Sequence, residues 1–130
     1  MLDPAIRELA TVKNYAVLAF HLSNGAIGSH VMWVDATDDY LLINTEIHRA
    51  KYRAIAADPN VTVTIWDLKN PYRYAEVRGR VLSEVRGPEA RSHIDALAQR
   101  YNGTDYQGKI ESERVILQIT PDRQRSWPPS

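Results

Sequence analysis

The stretch Asn44-Thr45-Glu46-Ile47-His48-Arg49-Ala50-Lys51-Tyr52-Arg53 carries the clearest chemistry in the chain, where a strand pattern gives way to a helical one. A helix N-terminus has unpaired N–H groups and partial positive charge, so it favours acidic side chains and disfavours basic ones. Here Arg49, Lys51 and His48 crowd the first turns, and only Glu46 opposes them. A bound phosphate would reverse that penalty, because the N–H groups, the dipole and the cations would converge on one anion. Arginine suits a bidentate grip on phosphate oxygens and lysine a point charge. The plainer reading is a solvated face of an ordinary amphipathic helix, and from pattern alone both readings stand. Residues two apart on a helix do not face each other, so Arg49 and Lys51 share an anion only if Arg49 sits at or before the first turn.

Gly28-Ser29-His30-Val31-Met32-Trp33 is the second candidate. A strand mixing Gly, Ser and His with Met and Trp can offer a flat ring both backbone groups and an apolar shelf. Taken singly, each residue fits the plainer reading better: Met32 and Trp33 as core residues and His30 as a surface or satisfied histidine. The third is the aromatic-rich Trp66-Asp67-Leu68-Lys69-Asn70-Pro71-Tyr72-Arg73-Tyr74, which reads as a subunit interface, a ring-binding surface or outer barrel packing. His21, His30, His48 and His93 show no metal-ligand spacing, so no metal site is expected. Gly-rich phosphate loops, nucleophile elbows and paired-carboxylate motifs are absent, and no catalytic side chain is assigned. An enzyme of this composition needs a cofactor to carry its reaction.

The elements that must position these residues follow from periodicity. Asp3-Pro4 opens a short helix with Ile6, Leu9 and Ala10 inward, ending near Asn14. Strands are expected over 15–22, 26–35 and 40–45, joined by Asn24-Gly25 and Thr37-Asp38-Asp39 into an antiparallel meander. A helix over 47–57 stops at Asp58-Pro59-Asn60. Strands over 61–67 and 72–84, a helix from Pro88 to Gly103, a strand over 114–120 and a proline-bearing tail complete the chain. Six strands without βαβ alternation argue for an α+β, mainly antiparallel barrel with flanking helices rather than a doubly wound sheet.

With 130 residues the chain fits one domain, 1–130. Sixteen basic and sixteen acidic residues balance, so no global field attracts nucleic acid or an anionic membrane. Cysteine is absent, which excludes disulfides and thiol chemistry. The N-terminus has no signal-peptide pattern, and the expectation is a soluble, cytoplasmic protein without nucleic-acid or membrane partners.

Taken together, the chain resembles the pyridoxamine 5′-phosphate oxidase-like split β-barrel superfamily, and within it the flavin/deazaflavin oxidoreductases of class B, which use coenzyme F-420. The resemblance runs from about Leu18 to Ile119. It rests on the Asn24-Gly25 hairpin before Met32-Trp33, on Asn44-Thr45 leading to Arg49 and Lys51, and on Asp58-Pro59-Asn60-Val61. Asn70-Pro71-Tyr72-Arg73-Tyr74, Glu76 to Val81, and His93 to Ala98 with Tyr101 complete it. It implies a six-stranded split barrel and a homodimer with the cofactor in grooves between subunits. Arg49 and Lys51, with His48 beside them, would hold the cofactor phosphate, while Asn44, Thr45 and the segment His30, Val31, Met32 and Trp33 line the ring. Trp66 to Tyr74 or the tail near Trp127 of a second copy would complete the groove. The implied reaction is hydride transfer from reduced deazaflavin to a small organic substrate. FMN is the alternative cofactor, with Arg53, Arg73, Arg123 and Arg125 candidates for the longer acidic tail of F-420. A non-catalytic cofactor carrier is the alternative function. Relatives often carry a Pro-Gln-like pair where this chain has Ile27-Gly28, so ring contacts are not carried over to those two positions.

Overall fold

The computed structural model describes residues 1–129. Helix α1 (Pro4–Thr11) precedes strands β1 (Tyr15–His21), β2 (Ile27–Trp33), β3 (Asp35–Ala36) and β4 (Leu41–Glu46). Helix α2 (Ala50–Ala57), strands β5 (Asn60–Asp67) and β6 (Asn70–Arg86), helix α3 (Pro88–Asn102) and strand β7 (Arg114–Trp127) follow. The seven strands form one antiparallel sheet in the order β2-β1-β5-β6-β7-β4-β3, curled into a half-barrel.

The apolar alternation sets the inner face. Ala16, Leu18 and Phe20 stand opposite Ile65, Val63 and Val61, and Leu41 and Ile43 opposite Ile119 and Leu117. Leu2, Ile6, Leu9 and Ala10 from the α1 region and Ile55 from α2 close this core. Helix α3 lies on other ground, with Ala90 against Leu42 and Ile116, and Ile94, Leu97 and Tyr101 against Tyr15, Trp33 and Tyr106. Strand β4 is therefore buried on both faces over all six residues. Leu41, Ile43 and Thr45 enter the barrel core, while Leu42, Asn44 and Glu46 form the alternate set.

Two expectations are corrected. The expected meander stops after its first hairpin, in which Asn24-Gly25 turns the chain with Gly25 at φ +86° and Tyr15 to His21 pair with Trp33 to Ile27. Strand β4 pairs with β7 and with the short β3, not with β2. Val34 is the reason: it is fully buried in the core, and its N–H donates to the Tyr101 hydroxyl at 3.3 Å. The chain is pinned there between two strands at opposite edges of the sheet, and β3 becomes the seventh strand where six were expected. The second correction concerns the tail. Strand β7 continues beyond Thr120 to Trp127, pairing with β6 as far as Tyr74, and the Tyr74 and Trp127 rings stack 4.7 Å apart. Pro121 fits because it falls at a register shift opposite Gly79, where no regular ladder bond is lost.

A side chain at Gly79 would run into the Thr120 carbonyl and the Ile119 side chain. Gly79→Ala is expected to destabilise the protein by about 1–3 kcal/mol through overpacking against backbone, read as a lower urea midpoint at unchanged m-value.

Candidate cofactor site

Arg49 is the N-cap of α2, with extended backbone at φ −72° and ψ 146°, and Ala50 and Lys51 are the first helical residues. Sequence periodicity places the helix start three residues earlier, at Ile47. That turn is instead drawn toward the segment before β7: Ile47 N–H donates to the Glu113 carbonyl, and His48 N–H to Ser112 Oγ. Arg49 thus precedes the first turn, the arrangement that lets it converge with Lys51 on one anion.

Glu46, at the end of β4, is 1% exposed. Its Oε1 accepts the N–H groups of Glu111 and Ser112 at 2.7 and 2.9 Å, and its Oε2 accepts Arg49 Nη2 and Arg114 Nη1 at 3.1 and 3.2 Å. Burial alone would raise its pKa, but these two N–H donors and the Arg114 and Arg49 guanidinium groups outweigh it and hold it below the usual 4.5. Arg114 is itself only 4% exposed and also donates from Nε to Asn44 Oδ1 at 2.9 Å.

Lys51 is 9% exposed, and among the described residues its ammonium meets no carboxylate. Its Nζ reaches the Met32 sulfur at 3.1 Å, a weak acceptor. Burial first, then the fields of Arg49 and Arg114, lower its pKa from the ordinary lysine value. Three cations therefore share a half-dry corner with one carboxylate that pairs with only two of them, Arg49 and Arg114, which leaves the corner electropositive.

A cavity of about 280 Å³ opens beside this corner. Its walls include Val31, Met32 and Trp33 from β2, Asn44 from β4, Arg49 and Arg114. Tyr15, Tyr106, Ile94 and Leu97 supply an apolar side, where Trp33 stacks on Tyr101 at 4.9 Å and Tyr106 meets Trp33 edge-on at 6.3 Å. Five of the nine expected residues thus share one cavity, and Lys51 joins them through Met32.

The remaining three stand elsewhere. His30 is exposed on β2 with its ring edge-on to Phe20, and slight burial and then the Lys51 charge lower its pKa. His48 turns to Ser112 Oγ at 2.6 Å and Glu111 at 3.4 Å. Thr45 is on the core face of β4, and its Oγ1 is the one buried side-chain polar atom without a partner among the described residues. Sequence reasoning missed Arg114 and Tyr106. Arg114 stands directly before the buried apolar run Val115-Ile116-Leu117, which is the one local signal that it is held inside rather than exposed; its partner across the sheet is Glu46. Among the described residues no cluster of His, Asp or Glu is placed to hold a metal ion, and no helix is long and apolar enough to cross a membrane.

The pyridoxamine 5′-phosphate oxidase family model matches residues 2–128. The chain belongs to that family. An F420 reductase of known structure is 30% identical, with TM-score 0.83 over 95% of this chain and 98% of its own. The conserved hypothetical protein Rv2991 from Mycobacterium tuberculosis, 22% identical, shares the fold with TM-score 0.77 over 98% of this chain and 84% of that one. General Stress Protein 26 from Bacillus anthracis str. Sterne, 21% identical, shares it with TM-score 0.72 over 97% and 93%. Curated proteins gave no match. The split-barrel expectation is met, and the family is one of flavin- and deazaflavin-type oxidoreductases.

Two variants test the electrostatics of this corner. The folded-state pKa of Glu46 is lowered, so its stabilisation is complete above the unfolded value near 4.5 and is lost as pH falls through the folded value. E46Q is expected to cost about 3 kcal/mol at neutral pH and to flatten that acid limb in urea titrations. Lys51 has the opposite sense: its lowered pKa makes stability rise with pH from the folded value up to 10.5, where the unfolded chain still holds the proton. K51M is expected to abolish that rise and to stabilise the ligand-free protein by about 1 kcal/mol or more, measured the same way.

Proposed function

We propose that the protein is an oxidoreductase that binds coenzyme F-420, holding its phosphate with Arg49 and Lys51 at the start of α2 and its ring in the cavity bounded by Met32, Trp33 and Asn44. The observation that carries this reading is the buried Lys51 ammonium without a carboxylate partner, set beside a capping arginine. A structural lysine has no reason to sustain that desolvation, whereas a phosphate oxygen offsets it. The first α2 residues add N–H groups that no helical carbonyl satisfies. Choice of the deazaflavin over FMN is supported by the likeness to the F420 reductase, at 30% identity across nearly the whole of both chains.

When bound, the reduced deazaflavin supplies a hydride to a small organic acceptor. The chain's own part is to bind, orient and exclude water. Arg49 and Lys51 fix the phosphate end, Arg114 keeps the polar wall cationic, and Trp33 and Tyr106 exclude water from the apolar side. No side chain is assigned an acid–base role.

The proposed assembly is a homodimer. Val31 lines the cavity yet is 65% exposed, and Ile27 on the same face of the edge strand β2 is 67% exposed. A second copy over that face would bury both and complete the groove. Replacing both by aspartate is expected to leave a folded monomer by analytical ultracentrifugation, and a variant that sediments like the wild type would remove β2 from the interface.

Titration of the purified protein with F-420 and with FMN, followed by fluorescence, tests the cofactor. R49A and K51A are each expected to weaken binding by ~1.5–3 kcal/mol. Binding of FMN alone would overturn the deazaflavin reading. Binding of neither would overturn the oxidoreductase reading and leave a scaffold of the same fold, and full affinity in the double variant would remove the phosphate assignment.

A further inference from the structure

A polar chain, partly buried at its far end and buried at Asn44 and Arg114, runs behind the cavity and ends on its cations. His93, on α3, places Nε2 at 2.9 Å from Asp35 Oδ2 and Nδ1 at 3.0 Å from Asn44 Nδ2. Asn44 Nδ2 also donates to the Ala90 carbonyl at 3.0 Å, and Asn44 Oδ1 accepts Arg114 Nε at 2.9 Å. Arg114 in turn donates to Glu46, which holds Arg49. At the far end Arg100 Nη2 fixes the other oxygen of Asp35 at 2.9 Å.

Donor and acceptor accounting leaves one arrangement. The Ala90 carbonyl can only accept and the Arg114 guanidinium can only donate, so the Asn44 amide presents nitrogen to the first and oxygen to the second. The same nitrogen faces His93, whose Nδ1 must then accept. The ring proton is left on Nε2, which donates it in a hydrogen bond to the Asp35 carboxylate. The opposite tautomer sets N–H against N–H at Asn44 and leaves Asp35 facing a bare ring nitrogen.

We infer that His93 is a positioning residue for the cofactor cavity: as the Nε2–H tautomer it locks the Asn44 amide, and through it aims the Arg114 guanidinium at the cavity. This rests on the cofactor reading above for its consequence, though not for its geometry. His93 touches neither the cavity nor its contents, so its effect passes wholly through Asn44. Losing the acceptor at Nδ1 removes one of the two contacts that hold the Asn44 nitrogen, and the guanidinium loses its fixed acceptor when the amide turns.

Two substitutions separate this role from simple packing. In H93N the amide oxygen falls where Nδ1 stood and keeps the acceptor for Asn44 while giving up Asp35. In H93Q the amide group falls where Nε2 stood, keeping Asp35 while giving up Asn44. Affinity for F-420 and FMN, measured with each variant, is expected to stay within about threefold of wild type in H93N and to fall tenfold or more in H93Q. Equal losses in both, or none in H93Q, would overturn the inference. A cofactor-free readout accompanies it: the Arg114 Nε–H resonance in ¹⁵N spectra should be protected from exchange in wild type and H93N, and exchange freely in H93Q. Long-range ¹H–¹⁵N spectra at pH 8 should show His93 as one Nε2–H tautomer, and an Nδ1–H tautomer would refute the scheme. Should H93Q not fold, N44D serves, since a carboxylate there must draw a proton to Nδ1; an unchanged tautomer would break the proposed coupling. If the wild type binds neither cofactor, the functional reading fails, while the Arg114 and His93 signals still decide this inference.

Discussion

The site depends on one buried carboxylate. Glu46 is almost wholly removed from water, and a charge so placed costs several kcal/mol unless it is both paired and hydrogen-bonded. It collects four donors from three parts of the chain: the segment before β7, the first residue of β7 and the residue that caps α2. Those four bonds tie the start of α2 to the point where β7 enters the sheet. One negative charge cannot balance Arg49, Arg114 and Lys51 together. Arg114 is buried with Glu46 and Arg49 is half-buried against it, so the remainder of the positive charge falls on Lys51 and on the open side of the corner. The proposed anion site is thus what remains of an ion-pair network that is satisfied on its inner side and unsatisfied on its outer one.

Strand β4 makes this possible by being covered twice. A strand with one wet face would put Asn44 and Glu46 in solvent, where their bonds would be worth a few tenths of a kcal/mol. Helix α3 covers that set through Ala90 and His93, so the same alternation that sends Leu41 and Ile43 to the barrel core sends a polar pair into a second enclosed layer. The opening of the barrel supplies the other wall. Because Val34 pins the chain between β2 and β3, β2 keeps an unpaired edge, and Met32 and Trp33 face the end of β4 across a cavity instead of across a ladder. A closed meander would have filled that space with backbone hydrogen bonds.

Much of this was legible in the residues, and the rest fails for one reason. The Asn24-Gly25 hairpin, the alternation of Val61, Val63 and Ile65, and the α3 stripe of Ala90, Ile94, Leu97 and Tyr101 are local patterns whose periodicity is decided within a few residues. Arg49 and Lys51 were legible as cations at a junction where the helix dipole disfavours them. The pairing of β4 with β7, separated by some seventy residues, is not encoded in any local period, and with it went Arg114 as the partner of Glu46. The turn at His48 has the same cause. Its helical pattern is real, but Ser112 and Glu113 from the far end of the chain hold residues 47 and 48 out of the helix. Thr45 shows the complementary limit: its type fitted a ring contact, and its parity on β4 puts it in the core.

The polar chain from Arg100 through Asp35, His93, Asn44 and Arg114 to Glu46 explains why such a network is worth enclosing at all. Its inner members are satisfied at both ends, and a half-satisfied network would be worse than an apolar one. Apolar side chains of similar size would hold β3, β4, α3 and β7 together as well, by packing alone. What they could not do is give Arg114 a single direction. A guanidinium on a long side chain has many rotamers of similar energy in water, and ordering it when a ligand arrives subtracts from affinity. Bonded through Nε to an amide that cannot turn and through Nη1 to a carboxylate that cannot leave, it is ordered before any ligand enters. The network's contribution is therefore to preorganise the cavity wall more than to stabilise the fold, and that is the property the proposed anion-binding corner, with one surplus buried lysine, requires.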